Sequence, residues 1–321
     1  MKNKNYEDKI KELQEKINHK NFYDGKLCNN PKPIDGQSEP VIIYYDERLE
    51  SDVEFSIVVP VFNQEEIIKK NLHSMLKYTD GTIEMIVILD NCVDDTESEV
   101  LDLFKNETVS NLVRVIVVRQ DTPVYETTAD NIGFVLSSGK YLLEIQADIE
   151  LIEYGYNRNL QKALIKYDDI AVVSGRLTHK FGIPIGVGKL GESNENPLPT
   201  NLDRNKIYMW GTCVHSPFLM DHEKAKEIGY FDEQNIFLEG SCHDYCARCY
   251  YMKGWKNGYV PIEYLSPLKD GSCRKNLPEK IKEINKKVME IRQTRSNGGF
   301  LGYLLANLNN IPQPPIEIRE L

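Results

Sequence analysis

The sequence predicts an α/β protein with a doubly wound, mostly parallel sheet, on three observations. From 55 to 175, short β-branched runs alternate with segments of helical period. The runs are continuously apolar, the pattern of strands covered on both faces. Two of them, "IEMIVILD" and "KYLLEIQAD", stop at the carboxylates Asp90 and Asp148, where such sheets open their ligand crevice.

The elements follow in order. "FSIVVPVF" is the first buried strand. "NQEEIIKKNLHSMLKYT" repeats apolar residues at Ile67, Ile68, Leu72, Met75 and Leu76, a helix with Glu65 and Glu66 in its first turn. "IEMIVILD" is a strand, "TESEVLDLFKN" a helix, "LVRVIVVR" a strand. "TTADNIGFVLSSG" is a helix closed by Gly139. "KYLLEIQAD", "YGYNRNLQKALIKY" and "IAVVSG" continue as strand, helix, strand. Upstream, Ile10, Leu13 and Ile17 form a narrow apolar stripe on a charged helix that packs on the body or a partner. Residues 24–40, with Gly25, Pro31, Pro33, Gly36 and Pro40, read as linker. Downstream, "EKIKEINKKVMEIRQT" (279–294) is a charged helix, and "FLGYLLANL" (300–308) docks on the core.

Composition excludes several classes. The chain has 321 residues, 41% hydrophobic and 27% charged, and a net charge of −10. That charge argues against a nucleic-acid binder, which carries a basic surface. No run approaches the ~20 apolar residues of a membrane span, and the charged N-terminus is no signal peptide. Seven cysteines, an odd number, fit a reducing compartment, and the expected location is cytoplasmic. Cys246 and Cys249 form a C-x-x-C near Cys242, within a helical segment, and read as buried structural thiols rather than a zinc site. "GVGKLG" (186–191) satisfies G-x-G-x-x-G but lacks a helix after it, so it reads as loop. Lys189 and Arg204 lie in the same Gly/Pro/Asn-rich stretch, as solvated surface or as reach toward a phosphate.

Two readings stand for Asp90: a turn or helix cap, or a carboxylate facing the ligand. Asp148, with Glu150 beside it after so apolar a strand, favours the functional reading.

Four pieces, in order, resemble one family. "FSIVVPVFNQEE" looks like its opening strand and loop, "IVILDNCVDDT" like its second strand and acidic turn. "TTADNIGFVLSSGKYLLEIQAD" looks like its aRN-x-G to D-x-D block, and "GYFDEQNIFLEGSCHDYCARCYYMKGWKNGYVP" like its acceptor-side block. The family is glycosyltransferase family 2, and the likeness spans about 55–265. It implies the GT-A fold, a Rossmann-like doubly wound mostly parallel sheet with a smaller acceptor-side region. The regions implied are an N-terminal helix and linker (1–50), a nucleotide-sugar-binding half (51–176), an acceptor-side half (177–270) with a flexible loop at 178–207, and a C-terminal helical extension (271–321).

The resemblance also implies chemistry. A nucleotide-sugar donor, most often a UDP-sugar, lies across the strand ends. Asp90 bonds the base, and Pro60, Phe62, Asn63, Glu65 and Asn131 border the pocket with Gln146 and Ala147. Asp148 binds a divalent metal, Mn²⁺ or Mg²⁺, with Glu150 in weaker support. Asp244 is the general base of one inverting displacement, with Trp210 and His243 on the acceptor side. The acceptor is a glycan, a lipid-linked glycan or a protein, and a homo-oligomer is possible. The chemistry asks for these residue types: a diphosphate leaves only when its charge is neutralised, and a hydroxyl nucleophile needs a base within hydrogen-bond reach.

The sequence departs from the pattern in three places. The D-x-D is Gln146-Ala147-Asp148, the acid before the base is His243, and "PIEYLSPLKDGSCRK" offers no histidine ligand, only Asp270. The missing first acid keeps open a catalytically degenerate nucleotide-sugar-binding protein, against which Asp244 speaks. A nucleotidyltransferase is the remaining alternative; it wants a Gly-rich basic loop after the first strand, which "PVFNQEE" does not supply.

Overall fold

The computed structural model describes residues 2–18, 38–177, 203–210, 213, 215, 217–233, 236, 240–265, 279, 282, 283, 286, 290 and 317–321. The 186–191 motif, Lys189, Asp270, the 300–308 segment, most of the 178–207 loop and most of 271–321 lie outside the described residues. Of the charged helix expected over 279–294, Glu279, Lys282, Glu283, Lys286 and Glu290 are helical and exposed.

In chain order the described elements are α1 (Lys2–Ile17), β1 (Val41–Glu47), β2 (Phe55–Val61), α2 (Ile68–Tyr78), β3 (Ile83–Asp90), α3 (Thr96–Asn106) and β4 (Leu112–Gln120). Then come α4 (Tyr125–Leu136), β5 (Tyr141–Glu144), β6 (Glu150–Leu151), α5 (Tyr156–Lys166), β7 (Ile170–Leu177), β8 (Lys206–Trp210) and β9 (Phe218–Asp221). The last are α6 (His222–Ile228), α7 (Ser241–Lys253), β10 (Lys256–Ile262), β11 (Tyr264–Leu265) and β12 (Ile318–Glu320).

Among the described residues one ten-stranded sheet runs β1-β4-β3-β2-β5-β9-β7-β10-β8-β12. Strands β4, β3, β2 and β5 are mutually parallel, as are β7 and β10. The alternation of side chains divides the apolar strands between two cores. Phe55, Ile57, Val59 and Val61 of β2 join Leu72, Phe104 and Leu160 of α2, α3 and α5 on one face. Val58, Ile86 and Ile88 join Ile132, Ile228 and Tyr245 of α4, α6 and α7 on the other. Helices thus cover both faces, which is the doubly wound α/β arrangement the continuous apolar runs predict.

The sheet differs from expectation at four points. β9 inserts antiparallel between β5 and β7, so the fifth expected strand does not neighbour the fourth. Residues 41–47, expected in the linker region, form β1, an antiparallel edge on β4. α2 begins at Ile68, leaving Glu65 and Glu66 in the turn before it, because Gln64 donates its backbone N–H to Thr96 Oγ1 at 2.7 Å and is held in the neighbouring loop. α4 ends at Leu136, capped by Ser137. Gly139 is instead a close-approach residue: a Cβ there would lie 2.7 Å from the Ser56 backbone nitrogen. At the N-terminus, Leu13 and Ile17 of α1 are buried, and Gln14 Oε1 accepts from the Ile42 backbone N–H at 3.0 Å, so α1 packs on the body.

Candidate functional site

The carboxyl ends of β2, β3, β4 and β5 lie along one edge of the sheet. Among the described residues, the non-glycine residues with positive φ are Asn63 and Asn91 (49° and 55°), in the loops after β2 and β3, and Tyr125 (65°), the first residue of α4. Such conformations cost on the order of 1–3 kcal/mol each and persist where the surroundings hold them, typically at functional sites. Here they are held. Asp90, 3% exposed, accepts the Val124 N–H on Oδ1 at 2.7 Å and the Tyr125 N–H on Oδ2 at 3.0 Å. The carboxylate that ends β3 therefore fixes the start of α4. Each carboxylate oxygen can accept a second hydrogen bond.

The loops after β2 and β3 are fastened together. Asn63 Oδ1 accepts the Val93 N–H at 2.9 Å, and Glu65 Oε2 accepts the Asp95 N–H at 2.9 Å. Both residues, expected to border a donor, build the wall formed by the two loops. Pro60 and Phe62 are half-buried at the end of β2. Asn131 is fully buried: its Nδ2 donates to Phe231 O at 2.8 Å and its Oδ1 accepts the Phe231 N–H at 2.9 Å. It ties α4 to the turn after α6.

Past β5 the chain turns. Ile149 N–H donates to Gln146 O at 3.1 Å, and Asn71 Nδ2 donates to Ala147 O at 2.7 Å. Asp148 is half-buried at this turn. Glu150 pairs with Lys70 Nζ at 2.7 Å. Gln146 Nε2 donates to Glu126 Oε1 at 2.9 Å, so its amide points to a group from α4.

Glu126 belongs to a cluster the sequence reading did not assemble. One ligand atom each from Glu126, Asp130, Glu144 and His215 all lie within 4.8 Å of one another. Glu144 and Asp130 are 0% exposed. His215 Nδ1 lies 2.7 Å from Glu144 Oε2, and its Nε2 lies 3.1 Å from Ser241 Oγ. Burial pushes the Asp130 carboxyl well above the usual range, and the Glu144 carboxylate adds to it. Burial likewise raises Glu144, with His215 pulling partly back. For His215 burial pulls down, but Glu144, Cys242 and Glu126 together more than offset it and hold the imidazole well above its ordinary value. Two signals were present in the sequence: acids four apart on a helical segment, Glu126 and Asp130, and one acid inside the apolar run "YLLEI".

On the acceptor side, Asp244 lies in the first turn of α7, 1% exposed. Arg248 Nε donates to Asp244 Oδ2 at 2.8 Å, and Arg248 also donates to the backbone oxygens of Ile228, Gly229 and Tyr230. His243 is half-buried beside it. The backbone of Trp210 ends β8, paired with Asn257 of β10. Cys242, Cys246 and Cys249 are free and buried, as the reading of structural thiols expects. Arg204 is ion-paired with Glu153 at 3.0 Å. No helix among the described residues is long and apolar enough to cross a membrane.

Comparison with known proteins completes the picture. The model for glycosyl transferase family 2 matches residues 56–229, more than half the chain. Glycosyltransferase GlyA of Streptococcus pneumoniae serotype 4 is 30% identical over 122 residues, 38% of this chain and 16% of that protein. The chain thus spans about a sixth of the length of this curated relative. Among solved structures, GalNAc-T7 with UDP, GalNAc and Mn²⁺ matches with a TM-score of 0.51 at 16% identity, over 83% of this chain and 59% of that one. That likeness is one of fold. S. aureus TarS 1-349 in complex with UDP matches with a TM-score of 0.44 at 17% identity, over 77% of this chain and 67% of that one.

Proposed function

The chain belongs to glycosyltransferase family 2, and from that premise we infer that it moves a sugar from a nucleotide-sugar donor to a hydroxyl acceptor with inversion. One observation carries the reading. β3 and β5 flank β2, and their carboxyl ends bring Asp90 and the Gln146-Ala147-Asp148 turn to the same edge of the sheet. That edge is where open α/β sheets bind nucleotides. A UDP-sugar is the first donor to test, because UDP is what the fold neighbour GalNAc-T7 carries.

The roles follow from the chemistry of each group. Asp90, fixed by two backbone N–H groups, presents its carboxylate as acceptor to an imide or amide of the base. The end of β2 at Pro60 and the fastened loop bearing Phe62, Asn63 and Glu65 give the nucleoside a rigid wall. Asp148 is the residue that would hold a divalent cation. The fit is chemical: Mg²⁺ and Mn²⁺ take carboxylate oxygen, and Mg²⁺ is commonly held by one or two carboxylates together with substrate phosphates. Glu150, paired with Lys70 at 2.7 Å, is the weaker supporting carboxylate. Such a cation, when bound, neutralises charge developing on the leaving diphosphate. Asp244 takes the proton of the acceptor hydroxyl as its oxygen attacks the anomeric carbon, and Arg248 orients the carboxylate. His243 and Trp210 border the acceptor.

The test is a thermal-shift panel of UDP-, GDP-, CMP- and dTDP-sugars, with and without Mn²⁺, followed by product analysis. At 100 times its dissociation constant a donor stabilises by about 2.7 kcal/mol. One nucleotide class should give a metal-dependent shift, Asp148→Ala should remove the metal-dependent part, and a nucleoside diphosphate should be released. No shift with any donor, or release of pyrophosphate, sinks the reading.

A further inference from the structure

The Glu126–Asp130–Glu144–His215 cluster is not explained by sugar transfer. It sits where α4 meets the end of β5, next to Gln146, whose Nε2 donates to Glu126 Oε1 at 2.9 Å. The chain shows elsewhere how it satisfies a buried acid. Glu84, also 0% exposed, receives Arg114 Nε at 2.8 Å, Ser56 Oγ at 2.6 Å and the Ser138 N–H at 2.6 Å. In the cluster the opposite holds. Both oxygens of Asp130 and Oε1 of Glu144 are buried with no hydrogen-bond partner. Leaving a buried polar atom unsatisfied costs about 1–3 kcal/mol, more when it is charged.

Protonation removes charge but does not cure this. A carboxyl proton needs an acceptor at hydrogen-bond distance, and neither oxygen of Asp130 has one. One ligand atom from each of the four residues lies within 4.8 Å of the others, and His215 Nδ1 is already 2.7 Å from Glu144 Oε2. Ligands around one ion stand somewhat closer: metal–ligand bonds of about 2.0–2.2 Å set neighbouring ligand atoms roughly 3–4 Å apart. A small contraction would place the four donor atoms around a single cation.

We propose that Glu126, Asp130, Glu144 and His215 form a buried structural site for a divalent first-row transition metal. Three carboxylates and one imidazole are a donor set that suits Zn²⁺, Mn²⁺ or Fe²⁺. His215 Nδ1, beside Glu144 Oε2, is the ligating nitrogen, and its Nε2–H donates to Ser241 Oγ. Such a second bond fixes the tautomer of a ligating histidine. The ion joins α4, β5 and the segment entering β9. Through the Gln146–Glu126 bond it also braces the turn that carries Asp148. It is a different ion from the one proposed at the donor diphosphate, and it needs no donor.

Metal content decides the matter on the full chain without nucleotide. The protein is stripped with chelator, dialysed against Zn²⁺ or Mn²⁺, dialysed again into metal-free buffer, and its metal counted. Wild type and Asp148→Ala should each retain one equivalent and melt at higher temperature than the stripped form. Asp130→Asn and Glu144→Gln should lose at least tenfold in affinity. Should Asp130→Asn fail to fold, Glu126→Gln, whose residue is partly exposed, takes its place. The proposal is overturned by a wild type that retains no ion, by cluster variants that bind as wild type does, or by loss of the ion in Asp148→Ala. That last result would assign the metal to the donor turn. A failed donor panel leaves this measurement untouched.

Discussion

Asp244 carries two demands that one substitution series separates. As a partner it neutralises Arg248, which is fully buried, and removing one member of a buried pair costs about 3–5 kcal/mol because the other is left uncompensated. As the proposed base it must receive a proton. Asp244→Ala should therefore lower the unfolding free energy by about 3–5 kcal/mol in urea titrations. Asp244→Asn keeps an acceptor oxygen for Arg248 and should lose less stability, while transfer falls by about 10²–10⁴-fold with donor binding retained. Wild-type transfer by Asp244→Asn would leave Asp244 with the anchoring task alone. The site was legible in the sequence in proportion to how local its signals are. Asp90 and Asp148 announce themselves because each ends an apolar run. Asn131, Asn63 and Glu65 match motif positions too, but their hydrogen bonds go to Phe231, Val93 and Asp95, partners a motif does not name. The buried acid cluster was hidden because its members come from α4, β5 and a segment some seventy residues on, assembled only by the fold.

At the scale of elements, close packing of α4 on β2 rests on one residue. A Cβ on Gly133 would lie 2.2 Å from Val58 Cγ1, a distance side chains do not tolerate. Gly133→Ala should cost about 1–3 kcal/mol through overpacking, against the few tenths to one that alanine normally gains in a helix. Adding Val58→Ala should relieve the clash, so the double variant should be more stable than the sum of the two singles predicts, by chemical denaturation. Additivity would show that the helix simply shifts outward. The strands themselves were readable because β-branched continuity is a local property. β1 was not separated from the linker, since one seven-residue run beside prolines carries little signal without its partner β4. The antiparallel insertion of β9 was beyond periodicity altogether: which strands become neighbours is decided by long-range packing, not by the four residues of "FLMD".

For the molecule as a whole, the far edge of the sheet is closed by charge. β12 pairs antiparallel with β8, and Met209 N–H donates to Glu317 O at 2.8 Å. Arg319 bonds both carboxylate oxygens of Asp169, at 2.7 and 2.9 Å, and Lys256 reaches Asp169 and Glu317 at 3.2 and 3.0 Å. The network links β12 to the turn before β7 and to the start of β10. The Arg319 guanidinium, against some opposition from burial and with help from Lys256, lowers the Asp169 carboxyl to about 2. Glu317 is lowered as well, chiefly by Lys256. A carboxyl lowered on folding stabilises while it is ionised. Its contribution is complete above the unfolded value of about 3.9 and disappears as pH falls toward the folded one. Protection of the β12 and β8 amides from hydrogen exchange should therefore fall between roughly pH 4 and pH 2, ahead of the central strands β2 and β3, whose amides open only with global unfolding. Because Asp169 is 42% exposed, salt should weaken the effect at neutral pH. Asp169→Asn should show the weakened edge already at pH 7 and lose the part of the acid dependence that Asp169 supplies. Protection at β12 that stays level from pH 5 to pH 2 in the wild type would mean that backbone pairing to β8, and not the four charges, holds this edge of the sheet.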